Sequence, residues 1–176
     1  MKKVELRISG LGGQGAVLAG QILGRAAVYD GKNAVQTQSY GAEARGSASQ
    51  SEVIISDGKI GFPIVRKCEI LIAMSQEAIE KNIKDLEEDG ILLVDSSTVK
   101  KLPETNVRIF KIPATEIAET MFKAKIYANM IMLGALTSIT KITNEKSFTR
   151  AIKETVSKEI VNTNLNAYRK GLTLTA

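Results

Sequence analysis

Residues 4–15, Val-Glu-Leu-Arg-Ile-Ser-Gly-Leu-Gly-Gly-Gln-Gly, restrict the start of this chain to few folds. Val4, Leu6 and Ile8 alternate with charged residues, which is the pattern of a strand. Gly10-Leu-Gly12-Gly13-Gln14-Gly15 then matches G-x-G-x-x-G, and Ala16, Ala19, Gly20, Leu23 and Ala27 follow on one helical face. Small residues on that face let the helix axis approach a sheet closely, while Gln21 and Arg25 mark its wetter side. Asp30-Gly31 ends it.

A glycine turn between a strand and a helix has a chemical consequence. The glycines permit close backbone approach, and the new helix aims unpaired N–H groups and its positive end at whatever sits there. An anion is the natural occupant. A dinucleotide site would add an acid at the end of the second strand to hold the ribose. Here that strand ends Val35-Gln36-Thr37-Gln38-Ser39-Tyr40, without a carboxylate, and no Gly-Lys-Ser/Thr closes a P-loop. Two readings remain open for Gly10, Gly12, Gly13, Gln14 and Gly15: a phosphate-bearing ligand such as coenzyme A, or a tight turn packed against another chain.

The rest of the chain continues the alternation. Strand patterns are expected at about Ala34–Ser39, Glu52–Ser56, Cys68–Met74, Ile91–Val94 and Val107–Ile112. The second and third of the six form an antiparallel pair with a long tip. A helix is expected from about Gln76 to Glu88 and Gly90. The last third reads as helices at Thr115–Phe122, Asn129–Ile139 and Ser147–Tyr168, the last with a capping group at Thr143-Asn144. Strands alternating with helices predict a single domain over 1–176. It is a three-layer α/β/α fold with a mostly parallel, Rossmann-like sheet and a helical C-terminal third.

Composition removes whole classes of chemistry. There is no His and one cysteine, Cys68, so His-based acid–base catalysis, a zinc set and cysteine-bound iron–sulfur clusters are excluded for this chain. Cys68 precedes an apolar run and is expected to be a structural thiol. The net charge of +5 comes from Lys scattered among Glu and Asp, with four Phe, four Tyr and no Trp. That is a solvated mixed surface rather than a base-stacking platform, so no nucleic-acid partner is expected. No apolar run is long enough for a membrane span, and Met1-Lys-Lys-Val-Glu runs straight into a strand, which points to a cytoplasmic chain.

Residues 38–50 carry the second unusual feature. Gly41 and Gly46 bracket a loop able to hold a sharp shape. Glu43 and Arg45, two apart, project to one side of an extended backbone, and Arg45 can form a bidentate pair with a carboxylate or phosphate. Tyr40 offers a ring with a polar tip, suited to an interface. A plain polar tip with an incidental Arg is the alternative reading.

Four pieces in order, Gly10-Leu-Gly-Gly-Gln-Gly, Gln38-Ser-Tyr-Gly-Ala-Glu-Ala-Arg-Gly-Ser-Ala-Ser, Glu52-Val-Ile-Ile-Ser and Ala128-Asn-Met-Ile-Met-Leu-Gly-Ala-Leu, resemble the gamma subunit of 2-oxoacid:ferredoxin oxidoreductases over nearly the whole chain. The Gln-Ser-Tyr-Gly and Ala-Arg-Gly pieces are most similar to the 2-oxoglutarate branch, with the pyruvate and branched-chain branches less close. Ala42 stands where that family commonly has Pro, and Ser47 where it commonly has a second Gly.

The resemblance implies a complex that decarboxylates a 2-oxoacid on thiamine diphosphate with Mg, passes electrons through iron–sulfur clusters to ferredoxin and releases an acyl-CoA. This chain lacks cluster cysteines and a thiamine diphosphate signature, so those cofactors are expected on alpha, beta and delta-type partner subunits. The chain itself is implied to be a non-catalytic cover. Tyr40, Gly41, Glu43, Arg45 and Gly46 would face partners or the coenzyme A path. Asn129 would bond loop backbone near the glycine turn or, alternatively, cap the helix it begins. A stand-alone nucleotide-binding enzyme is the alternative that the glycine loop alone would allow.

Overall fold

The computed structural model describes residues 2–41 and 47–174. Six strands form one sheet. β1 (Lys3–Leu11) lies inside it, parallel to β4 (Cys68–Ala73) on one side and antiparallel to β3 (Ala48–Ser56) on the other. β5 (Leu86–Asp95) and β6 (Arg108–Ile112) continue the parallel half, and β2 (Asn33–Tyr40) pairs antiparallel with β3. The strand order is β2-β3-β1-β4-β5-β6. β3 alone runs against the common direction, so the sheet is mostly parallel as expected.

The two faces are covered unequally. On one side lie α1 (Ala16–Tyr29), α3 (Ala114–Phe122), α4 (Ala128–Thr140), α5 (Glu145–Thr155) and α6 (Val161–Leu172), packed on Leu6, Ile8, Val53, Ile55, Ile72 and Leu93. On the other, α2 (Gln76–Asn82) is the one α-helix among the described residues, packed with Val65, Val99, Leu71 and Leu92. The alternation of strand side chains explains how a single strand feeds both cores. Cys68 belongs to the second core although Ile70 and Ile72 belong to the first, because a register shift between Cys68 and Ile70 turns the chain over.

α4 is apolar all round and buried from Ala128 to Thr137, as a helix enclosed on every side must be. Its closest neighbour is α6, which it meets glycine to glycine. A Cβ on Gly134 would overlap the Tyr168 carbonyl, and one on Gly171 would overlap the Ile131 carbonyl. Tyr168 is fully buried, donates its hydroxyl to Thr137 Oγ1 at 3.1 Å and packs on Phe148.

Three sequence expectations need correction. The region expected to be a helix up to Glu88 and Gly90 leaves the helical path after Asn82, turns through Ile83–Asp85 and enters β5 at Leu86. Gly90 sits where a Cβ would come within 2.8 Å of the Glu87 carbonyl and 3.0 Å of the Glu69 carbonyl, so its role is close backbone packing rather than a helix stop. Ser147–Tyr168 is two helices: Val156 and Ser157 are extended, and a short turn at Lys158–Ile160 starts α6. The apolar spacing ran on because both helices reach the same core around Phe148 and Tyr168. β2 and β3 extend toward their tip as far as Tyr40 and from Ala48, so the loop joining them is shorter than the polar sequence implied.

The charged residues of β1 also do more than face water. Arg7 is 5% exposed, and its guanidinium pairs with Glu52 at 2.8 Å and Asp85 at 2.7 Å and donates to Asn82 Oδ1 and the Val65 carbonyl. It clamps β1, β3, the end of α2 and the segment before β4. Replacing Arg7 with Met leaves two carboxylates facing each other in a half-dry site, at a cost of about 3 kcal/mol.

The Cys68 thiol is buried, and burial pushes its pKa up to about 12 even though the Arg7 guanidinium pulls it down. The folded chain is therefore expected to resist iodoacetamide at pH 8 and to react once unfolded in guanidinium, as read by mass. Gly134→Ala is expected to cost about 1–3 kcal/mol through helix–helix overlap, read as a lower urea midpoint with unchanged slope.

Candidate functional site

β1 ends at Leu11 and the chain turns through Gly12, Gly13 and Gln14 before α1. Gly13 has φ 91° and Gly15 φ 76°, the left-handed region that suits glycine. Gln14 secures the turn. Its Oε1 accepts from the Leu11 N–H at 2.6 Å, and its Nε2 donates to the Met74 carbonyl at 2.8 Å. The amide is thus a strut between the ends of β1 and β4, while Gly12 and Gly13 stay exposed. No side chain caps α1 and no acid stands in its first turn, so its positive end is left uncompensated.

Asn129 joins this turn from α4. It is 1% exposed, and its Nδ2 donates to the Gly15 carbonyl at 3.3 Å. It does not cap its own helix, so the expected contact with the glycine turn is present. Its Oδ1 is buried without a hydrogen-bond partner among the described residues, an acceptor left open beside the loop. A Cβ on Gly15 would overlap Asn129 Nδ2, so contact as well as φ demands glycine there.

The hairpin tip reaches the same edge. Gly12 N–H donates to the Ser47 carbonyl at 2.8 Å, and Gly41 N–H donates to the Ala48 carbonyl at 2.7 Å. Tyr40, Ser49 and Gly10 stand in one cross-strand row, with Tyr40 63% exposed. β1 and β2 are not adjacent, however; β3 lies between them, and its antiparallel course brings the tip to the glycine turn. Glu43, Arg45 and Gly46, with Ala42, lie outside the described residues.

Next to the turn is a small crevice of about 190 Å³, lined by Gly13, Gln14, Met74, Thr98, Thr115, Lys125 and Ala128. It opens where β1 and β4 end and their connections diverge, one toward β2 and the other toward β5. Open α/β sheets place ligands at that position. Asp95, fully buried, shapes the far wall by accepting from Thr115 N–H at 3.1 Å, Thr115 Oγ1 at 2.5 Å and Ser97 N–H at 3.1 Å. Thr98 Oγ1 donates to the Met74 carbonyl at 2.9 Å. A larger cleft of about 400 Å³ lies at the opposite, amino ends of the strands, away from both loops.

Among the described residues lining the crevice none is His, Cys, Asp or Glu, and no group of three such residues able to hold a metal occurs among the described residues. Thr98, Thr115 and Lys125 went unnoticed in the sequence. The signals for Thr98 and Thr115 were Asp95-Ser-Ser-Thr and Pro113-Ala-Thr, polar groups closing two strands at the same edge as the glycines; Lys125 had none.

A family model described as pyruvate ferredoxin/flavodoxin oxidoreductase matches residues 5–174. The chain belongs to that family. It is 53% identical over 170 residues to the 2-oxoglutarate synthase subunit KorC of Methanocaldococcus jannaschii, covering 95% of this chain and 91% of that one. The crystal structure of a keto/oxoacid ferredoxin oxidoreductase gamma subunit from Geobacter sulfurreducens superposes with a TM-score of 0.87 at 43% identity, covering 98% of each chain. A 2-oxoglutarate:ferredoxin oxidoreductase from Magnetococcus marinus shares the fold, with a TM-score of 0.90 at 24% identity, and this chain covers 31% of that longer one. No helix among the described residues is long and apolar enough to cross a membrane.

Gly13 and Gly15 separate strain from contact. Gly13→Ala meets no atom within 4 Å and bears only the cost of its φ, about 1 kcal/mol. Gly15→Ala bears the same cost and also displaces Asn129, so its urea midpoint is expected to fall well below that of Gly13→Ala. Equal losses would remove the Asn129 contact from the account.

Proposed function

We propose that this chain is the gamma subunit of a 2-oxoglutarate:ferredoxin oxidoreductase. The complex converts 2-oxoglutarate, coenzyme A and oxidised ferredoxin to succinyl-CoA, CO2 and reduced ferredoxin. The single observation that carries the reading is the 53% identity to a 2-oxoglutarate synthase subunit across 95% of the chain. The family's redox and decarboxylation groups belong, on this reading, to alpha, beta and delta-type partners in the cytoplasm. They are thiamine diphosphate with Mg and iron–sulfur clusters, and they supply the carbanion and electron-transfer chemistry. A chain with one buried cysteine offers no thiolate set for an iron–sulfur cluster.

The subunit's own work is positional. Gly12 and Gly13 present exposed backbone, α1 presents an uncapped positive end, and the unpartnered Asn129 Oδ1 offers an acceptor beside them. Those groups suit an anionic ligand with a donor near it, and the phosphates and amides of coenzyme A meet that description. Arg45 adds a planar cation from the tip for a phosphate or a partner carboxylate, with Glu43 paired to a partner cation or backbone donor. Tyr40 supplies an apolar ring that excludes water from the joint. None of these residues touches a proton or electron of the reaction.

The test is reconstitution. The assembled complex should reduce ferredoxin when given 2-oxoglutarate and coenzyme A, with a higher kcat/KM than for pyruvate. The complex lacking this chain should not, and the chain alone should turn over nothing. Arg45→Ala should lower acyl-CoA formation or subunit association by about tenfold, the worth of one charge-assisted hydrogen bond. The chain alone should keep its fold. Turnover by the lone chain, or full activity without it, would falsify the reading.

A further inference from the structure

Residues 57–67, between β3 and β4, belong to neither glycine loop. The segment is anchored at both ends. Asn33 Nδ2 donates to the Gly58 carbonyl at 3.2 Å, Ile60 packs on the second core, and Val65 is 3% exposed with its carbonyl held by Arg7 at 3.1 Å. Between those anchors Phe62 is 61% exposed and Ile64 51% exposed, on either side of Pro63. A buried guanidinium and two core side chains therefore fix a stretch that displays two large apolar groups to water. The flanking Ile60 and Val65 belong to the core on the sheet face where α2 is the one α-helix among the described residues, against five on the other face.

Charge narrows what covers them. Lys59, Arg66 and Lys67 flank the pair, all exposed, and Asp57 is the only acid between Ser56 and Glu69. None of the three cations makes an ion pair with a described residue. An apolar centre flanked by three exposed cations and one acid fits a surface that is apolar at its centre and acidic at its rim.

We propose that the thin face of the sheet, centred on Phe62 and Ile64, docks on an acidic-rimmed apolar surface of a partner subunit of the same oxidoreductase. This joint is separate from the glycine edge, so the subunit is gripped on one face while its loops remain turned to the active site. The proposal rests on the reading of this chain as part of that complex.

The experiment uses the whole complex, purified through a tag on this chain and assayed for the thiamine- and cluster-bearing subunits. The wild-type chain must bring them down; if it does not, the subunit reading itself fails. Given that control, Phe62→Ser with Ile64→Ser should weaken recovery of those subunits by about tenfold or more while the lone chain keeps its melting temperature. Lys67→Glu with Arg66→Glu should weaken it too, and the wild-type joint should loosen on going from about 0.1 M to 1 M salt. Recovery unchanged by the double serine variant would overturn the proposal. So would a lone-chain dimer abolished by those substitutions, which would assign the face to a second copy. Sedimentation of the chain with phosphatidylserine vesicles, lost in the same variant, would assign it to a membrane and overturn it as well.

Discussion

The antiparallel course of β3 between β1 and β2 is the constraint on which the site depends. A parallel strand there would have ended beside the glycine turn but sent its next connection back across the sheet. Running the other way, β3 begins at that edge, so the hairpin tip and the glycine turn start from neighbouring residues. The bond from Gly12 N–H to the Ser47 carbonyl joins them directly. From the other side, Asn129 ties the same turn to the buried helix α4. The glycine turn is thus held by the sheet, by the hairpin and by the core of the helical layer at once.

Much of this was legible in the sequence because it depends on local chemistry. Ala16, Ala19, Leu23 and Ala27 are all buried as their spacing required, Asn144 caps α5, and Asp30-Gly31 ends α1. The glycine turn also followed from a short motif, and the Asn129 contact from the family resemblance. What stayed hidden depends on distance along the chain. Glu5 and Arg7 showed only as the charged half of a strand pattern, yet Arg7 finds its partners 45 and 78 residues away. The turn-over at Cys68 and the strand start at Leu86 depend on how two strands share one register, which no window of one strand contains.

The same distinction governs the site. Gln14 was named for its place in a motif, and its amide is consumed by Leu11 and Met74 within the chain. What faces outward at the turn is backbone, which carries no residue signature of its own. Thr98 and Thr115 belong to separate strand ends, and only the sheet order places them beside the glycines. Backbone donors at a turn leave a faint mark in the amino acids and a clear one in the topology.

One feature of the sheet has a cost for the cell. β2 is an outermost strand of eight residues, Asn33–Tyr40, and it contains no charge and no proline to discourage a stranger from pairing with it. β6, at the far margin, is five residues long and carries Arg108 and Lys111. A surplus of this polypeptide over its companions is therefore prone to stick to itself or to other unfinished chains.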